Sequence, residues 1–167
     1  GSFAQSANIV PDLICLGKII GGGLPIGAYG GKKRLMQQLA PLGKVYQAST
    51  FSGNPIVMQA GLSTLKALSG LKNEYLRLKT FVWQLASGFE QEAFSSQVQA
   101  EVKYFENIFS FKFREKKQFE KFFRKVLAQG VFFAPSEFEV NFLSFAHNQE
   151  DINKTLNVIR RALRELN

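Results

Sequence analysis

Residues 11–28, PDLICLGKIIGGGLPIGA, join a short apolar run to a cluster of glycines around one lysine. The apolar run Ile14–Leu16 predicts a buried strand, and Gly21–Gly23 predict a tight loop shortly after it. Lys18 lies between the strand and the loop, where little side-chain bulk surrounds its amine. The stretch therefore predicts a strand that ends at an accessible lysine.

Lys18 is the first candidate catalytic residue. A lysine amine at a strand end can attack a carbonyl group once it has lost its proton. A surface position or a phosphate contact is the commoner role for a lysine near glycines, so spacing alone leaves these alternatives open. The pattern over residues 17–23 matches neither the phosphate loop of nucleotide-binding enzymes nor the dinucleotide-binding fingerprint.

Residues 45–55, VYQASTFSGNP, are the second informative stretch. Their hydroxyls and backbone amides precede a helix that Asn54 and Pro55 are well suited to begin, and this helix is expected to run to about Leu68. The stretch suits an anion such as a phosphate group, and it suits a purely structural helix cap equally well.

The composition changes near Ser69-Gly70, because residues 101–145 contain twelve of the seventeen phenylalanines. This change predicts two regions. Apolar periodicity in the second region predicts a helix, two strands, a helix that stops at Gly130, two short strands and a final helix capped by Asn148. In the same order, these elements are expected at 72–94, 98–105, 108–113, 115–129, 131–133, 142–145 and from 148 to about 163.

The charge and composition exclude several classes of protein. Hydrophobic residues make up 46% and charged residues 20% of the 167 residues, which is typical of a folded domain. A net charge of +8 is compatible with nucleic-acid binding. However, the one compact cluster of basic side chains, residues 32–34, is small, and the alternating phenylalanines are expected to be core residues instead of exposed stacking surfaces. We expect no nucleic-acid partner, no membrane span and no signal peptide. The lone Cys15 makes cytoplasmic residence the default expectation.

Three further side chains are weaker candidates. His147 is the single histidine, and an ordinary contact at a strand end is its expected role. With one cysteine and one histidine, no metal site is expected. Glu137 and Glu139 flank Phe138 after a turn, and a carboxylate in such apolar surroundings can bind a substrate.

Together, residues 11–28, residues 45–55, Ala134–Glu139 (APSEFE) and Ser144–His147 (SFAH) resemble the class III aminotransferases that depend on pyridoxal phosphate, and within them an aminomutase branch. The resemblance spans essentially the whole chain but corresponds to only the back half of the family. It implies an α/β fold: the C-terminal part of an aspartate-aminotransferase-type (fold type I) enzyme. Residues 1–70 would be the tail of the large cofactor domain, and residues 71–167 the small C-terminal α/β domain.

The resemblance also implies roles for three residues. Lys18 would bond covalently to pyridoxal 5'-phosphate and then move protons as a general acid and base. Thr50 would bind the cofactor phosphate of the neighbouring subunit, which implies a homodimer. Glu139, rather than Glu137, would contact the substrate. Ser49 departs from the family, which commonly has glycine there, and the stretch between Phe113 and Phe119 is shorter than expected.

The reaction that the resemblance implies is the conversion of glutamate 1-semialdehyde into 5-aminolevulinate, a step of tetrapyrrole synthesis. The alternative is an ω-amino acid aminotransferase that uses a keto-acid acceptor. Those relatives usually have an arginine in the last strand region, whereas residues 142–147, FLSFAH, contain none. Because the family's ring-nitrogen aspartate and first phosphate loop have no counterpart in these residues, the 167-residue chain alone is expected to bind the cofactor poorly and to be inactive.

Overall fold

The computed structural model describes residues 3–166 and divides the chain into two compact units, the first ending at Leu71 and the second beginning at Lys72. The first unit contains three α-helices, one 3-10 helix and two strands among the described residues. Their bounds are α1 Phe3–Ser6, β1 Leu13–Gly17, the 3-10 helix Lys18–Gly21, β2 Gly27–Gly31, α2 Lys33–Met36 and α3 Pro55–Ser69.

Strands β1 and β2 form an antiparallel pair in which Leu13 lies opposite Gly31 and Gly17 lies opposite Gly27. The predicted strand is confirmed, but the prediction that it is buried is wrong, since Leu13 and Leu16 are 54% and 45% exposed. Among the described residues of this unit, only two strands form the sheet, so its faces lack the covering layers that bury a central strand.

The first unit has few buried apolar side chains. Ile20 of the 3-10 helix and Val57 of α3 are buried, and these two elements pack together. Many large apolar side chains of the unit are instead exposed, including those of Val10, Leu13, Ile19, Leu42, Tyr46 and Ile56. An apolar surface of this extent is typical of a region that another polypeptide surface covers.

The second unit has a well-formed core. Its elements are α4 Lys72–Ser95, β3 Ala100–Phe105, β4 Ile108–Phe113, α5 Lys116–Ala128, β5 Asn141–Phe142 and α6 Gln149–Arg164. The strands form an antiparallel sheet in the order β3-β4-β5. Helix α4 packs on α6 and on β3, while α5 packs on α6 and on β4.

Phenylalanine rings fill the centre of this core. On β4, Phe109, Phe111 and Phe113 are buried while Lys112 is exposed, which confirms the predicted alternation. The ring of Phe89, on α4, lies 4.7 Å from the Phe111 ring between centroids.

Two short strands were predicted wrongly. Residues 131–133 form no strand although Val131 and Phe133 are buried, and the last strand contains only Asn141 and Phe142 instead of residues 142–145. The apolar composition of residues 131–133 correctly indicated burial. However, among the described residues no strand pairs with the backbone of this segment. The final helix begins as predicted, because Asn148 and Asp151 form a reciprocal capping box.

An ion pair between the buried carboxylate of Glu92 and the largely exposed Arg164 joins α4 to the end of α6. Glu92 is 7% exposed, and its Oε1 and Oε2 accept hydrogen bonds from Arg164 at 2.7 and 3.2 Å. The hydrogen bond from Arg164 holds the pKa of Glu92 below its usual value, against the opposing effect of burial. A carboxyl with a lowered pKa stabilises the fold above its unfolded pKa, and this stabilisation is lost as the pH falls through the folded pKa.

We therefore expect Glu92→Gln to lower the midpoint temperature by roughly 3 °C at pH 7. The deficit should shrink as the pH falls below about 4, where the unfolded carboxyl is protonated. Thermal unfolding of Glu92→Gln and of the unchanged protein between pH 7 and pH 3 measures this difference in midpoint temperature. Glu90→Gln, at an exposed position of the same helix, is the matched control. A deficit that stays constant with pH would contradict the assigned cause.

No helix of the part described, residues 3–166, is both long and apolar enough to cross a membrane.

Candidate functional site

Lys18 stands where β1 ends, as the first residue of the 3-10 helix. Its φ angle is +52°, a left-handed conformation that costs a residue with a side chain roughly 1–2 kcal/mol. The side chain is exposed and makes no ion pair within residues 3–166. Asn8 has a similar φ of +54°, so it is the exposed amine at the end of β1, together with this backbone conformation, that makes Lys18 the strongest candidate for chemistry in the first unit.

The glycines after Lys18 let the backbone pack closely on α3. Gly22 has φ +59°, and a Cβ atom on it would overlap the Thr64 hydroxyl. A Cβ atom on Gly61, which is buried, would lie 3.1 Å from the Ile20 carbonyl oxygen. These close approaches fix the turn that carries Lys18 to a rigid helix.

Thr50 lies in a compact turn before α3, and its side chain is exposed. The amide of Phe51 donates to Ser49 Oγ at 3.3 Å, and the amide of Ser52 donates to the Ser49 carbonyl at 3.0 Å. The Ser49 side chain thus has a structural role in this turn.

Asn54 satisfies the first amides of α3. Its Oδ1 accepts hydrogen bonds from Ile56 at 3.1 Å and Val57 at 3.2 Å, so the predicted cap is confirmed. Because these amides are already paired, the helix start itself offers little to a phosphate group.

A cavity of about 870 Å³ lies between the end of β1, β2 and the turn before α3. Cys15, Leu16, Ser49 and Phe51 are among the residues that line it, whereas Lys18 and Thr50 are not. Lys18 and Thr50 therefore both lie outside this cavity.

In the second unit, Glu139 is exposed and lines a cavity of about 650 Å³ with His147, Asp151 and Lys154. Glu137 instead points back to the sheet: its Oε1 lies 3.2 Å from Lys112 Nζ, and its side chain is 11% exposed. The structure therefore separates the two glutamates, with Glu139 facing a cavity and Glu137 held by β4.

An arginine that the sequence did not single out holds the turn before α6. Arg77 of α4 donates hydrogen bonds to the carbonyls of His147 at 2.6 Å and Phe145 at 3.0 Å, and it pairs with Glu74 at 2.6 Å. The His147 ring accepts from the Ser144 amide at 3.0 Å through Nδ1. The contacts from Arg77 span 68 and 70 residues of sequence, so local spacing carried no sign of them.

No group of three or more His, Cys, Asp or Glu side chains within residues 3–166 could hold a metal ion.

The sequence pattern of the family "Aminotransferase class-III" matches residues 1–163. The chain belongs to the class III aminotransferase family. Among curated class III relatives, the glutamate-1-semialdehyde 2,1-aminomutase of Natranaerobius thermophilus is 42% identical over 169 residues, covering 93% of this chain and 39% of the relative. The enzyme of the same name from Thermomicrobium roseum is 41% identical over 179 residues, covering 99% and 41%.

Solved transaminase structures have the same fold. An ω-transaminase from Sphaerobacter thermophilus superposes with a TM-score of 0.86 at 24% identity, over 99% of this chain and 41% of that one. A transaminase with bound pyridoxal phosphate gives 0.83 at 18% identity, over 97% and 40%. The fold is that of the C-terminal part of a fold type I enzyme, as predicted. The chain spans about two fifths of the length of the curated relatives it matches.

Proposed function

We propose that the full-length protein is a pyridoxal-phosphate-dependent aminomutase, which converts glutamate 1-semialdehyde into 5-aminolevulinate in tetrapyrrole synthesis. Two relatives that share 42% and 41% identity with this chain carry that name. The observation that carries the proposal is the strained, exposed Lys18 at the end of β1, on glycines packed against α3.

Lys18 fits the cofactor by its chemistry and its surroundings. The cofactor's aldehyde requires a primary amine, and the Lys18 amine is exposed and makes no ion pair within residues 3–166. When bound, pyridoxal phosphate supplies a conjugated ring that accepts electrons from the substrate. Lys18 would hold the cofactor through its aldehyde, and its amine would donate and accept protons at the substrate carbons.

Thr50 is proposed to bind the cofactor phosphate in the site of a second subunit, so that the active protein is a homodimer. Its side chain is exposed, and it lies outside the 870 Å³ cavity next to the turn before α3. The extensive apolar surface of the first unit supports burial against further polypeptide.

Glu139 is proposed to contact the substrate. Its exposed carboxylate can accept hydrogen bonds from the substrate's amino group. The net reaction moves an amino group from C2 to C1 of the same five-carbon skeleton, so it consumes no keto acid and involves no net oxidation. We further propose that the first unit is the tail of the large domain, that the second is the small domain, and that the protein acts in the cytoplasm.

The alternative activity is ω-amino transfer to a keto acid, in which an arginine commonly binds the α-carboxylate of the acceptor. Arg77 is the arginine that reaches residues 144–147 from α4, and Glu74 and two backbone carbonyls already engage it. It is therefore poorly suited to bind a substrate carboxylate. This observation favours the aminomutase.

An assay of the purified full-length protein distinguishes the two activities. We expect sustained formation of 5-aminolevulinate from glutamate 1-semialdehyde in the presence of pyridoxal phosphate and the absence of any keto acid. Parallel reactions with pyruvate or 2-oxoglutarate and an ω-amino donor serve as the comparison. Product formation that depends strictly on a keto acid would contradict the proposal.

A further inference from the structure

We propose that Lys112 and Glu137 are positioning residues for Glu139, because their ion pair fixes the loop of residues 134–141 against β4. The inference rests on the proposed contact between Glu139 and the substrate. Lys112 and Glu137 would then be the two residues of this chain that hold Glu139 in place.

The base of the loop is tied to the sheet by one side chain. Asn141 Oδ1 accepts a hydrogen bond from the amide of Ala134 at 2.7 Å, which closes the loop. Asn141 Nδ2 donates to the carbonyl of Phe109 on β4 at 3.4 Å. Within the loop, Ser136 accepts from the amides of Phe138 at 3.2 Å and Glu139 at 3.1 Å. These bonds shape a turn but do not attach its tip to the sheet.

The tip of the loop is attached through Lys112. Its Nζ lies 3.2 Å from Glu137 Oε1 and 4.9 Å from the centre of the Phe138 ring. One amine from β4 therefore contacts two consecutive loop residues, by an ion pair and by a cation–π interaction. Glu139 is the next residue, so this attachment holds the backbone from which its side chain extends.

The burial of Glu137 makes the attachment depend on the lysine charge. Glu137 is 11% exposed, and its Oε2 is buried with no hydrogen-bond partner. A carboxylate in such surroundings is costly unless a cation compensates it. Without Lys112 the loop must open so that water can reach Glu137. Replacing Glu137 with glutamine removes the charge itself, so the loop should loosen less.

Hydrogen exchange by NMR on the 167-residue chain tests the attachment without any substrate. We expect the Glu139 amide to exchange about fivefold faster in Lys112→Met than in the unchanged protein. The acceleration should be smaller in Glu137→Gln, and the rate in Lys112→Arg should be nearly that of the unchanged protein. The double variant Lys112→Glu/Glu137→Lys should restore most of the protection.

The Lys112 side-chain protons should also shift downfield in Phe138→Leu, because the ring no longer shields them. Lys103→Met, at an exposed position of β3, is the control. Unchanged exchange in Lys112→Met would overturn the proposal.

Kinetics of the full-length protein separate this proposal from the proposed function. We expect Lys112→Met and Glu139→Gln each to raise the KM for glutamate 1-semialdehyde several-fold, with little change in the thermal midpoint, and their effects not to add. If Glu139→Gln raises KM and Lys112→Met does not, the positioning role is wrong and the proposed function stands. If neither changes KM although the loop loosens, the substrate role of Glu139 is wrong, and the positioning role fails with it.

Discussion

Replacing Lys18 with alanine is expected to lower the rate of 5-aminolevulinate formation by the full-length protein about 10⁴-fold or more. The substitution removes the amine that is proposed both to bond to the cofactor and to transfer protons, and proton transfer alone contributes up to roughly 10⁴-fold. The covalent attachment should disappear as well. Absorbance spectra of the protein with pyridoxal phosphate, before and after borohydride reduction and denaturation, measure that loss directly.

Two companion variants make the Lys18 result specific. Lys18→Arg keeps the positive charge but cannot bond to the aldehyde, so it should be as inactive as Lys18→Ala. Lys44→Ala, at an exposed lysine of the same unit, should leave the rate unchanged. Substantial activity in Lys18→Arg would contradict a covalent role.

The backbone of Lys18 adds a stability readout to the same series. Because φ is +52°, glycine can adopt this conformation without the steric cost that a side chain incurs. Lys18→Gly should therefore be inactive but no less stable than Lys18→Ala, since relief of strain offsets the greater freedom of the unfolded glycine. A residue kept in a strained conformation at the expense of stability is typical of an active site.

Elements with strong local signals were the ones the sequence predicted well. The Asn54-Pro55 start of α3 and the Asn148 cap of α6 arise from contacts within a few residues. The alternation of buried phenylalanines in β4 can be read from six consecutive residues. The segment 131–133 was wrongly predicted as a strand because apolar composition reports burial but not whether a neighbouring strand is available. The exposure of β1 was missed for a related reason, since burial of a strand depends on layers that the strand's own residues do not encode.

In the candidate site too, some features can be read from the sequence and others are visible only in the structure. The sequence neighbours of Lys18 left its role open, and the family resemblance made it the candidate catalytic residue, but its left-handed backbone is visible only in the structure. The contacts of Arg77 with residues 145 and 147, and of Lys112 with Glu137, join segments far apart in the chain. No periodicity or motif specifies such pairs, because the packing of helix and loop on the sheet creates them.

Phe89→Ala is expected to have the largest effect on stability, lowering the free energy of unfolding of the second unit by roughly 3–5 kcal/mol. Phe89 is fully buried in α4, and its ring meets those of Phe111, Phe113 and Phe122 at centroid distances of 4.7, 5.9 and 5.7 Å. The three neighbouring rings are held by two separate elements, β4 and α5, so they cannot all move to close the space that the missing ring leaves. A loss of this size is a large fraction of the 5–15 kcal/mol that a typical domain has in total.

Chemical denaturation measures this effect in the second unit alone, because Trp83 of α4 is the single tryptophan of the chain. Its fluorescence should show the midpoint of Phe89→Ala shifted to much lower denaturant, with a slope close to that of the unchanged protein. Phe94→Ala is the matched control, since this phenylalanine lies on the same helix and is 88% exposed. Phe89→Leu, which keeps much of the apolar volume, should fall between the two. Equal midpoints for Phe89→Ala and Phe94→Ala would mean that the phenylalanine cluster does not stabilise this unit, because the two substitutions remove the same atoms and differ in what surrounds them.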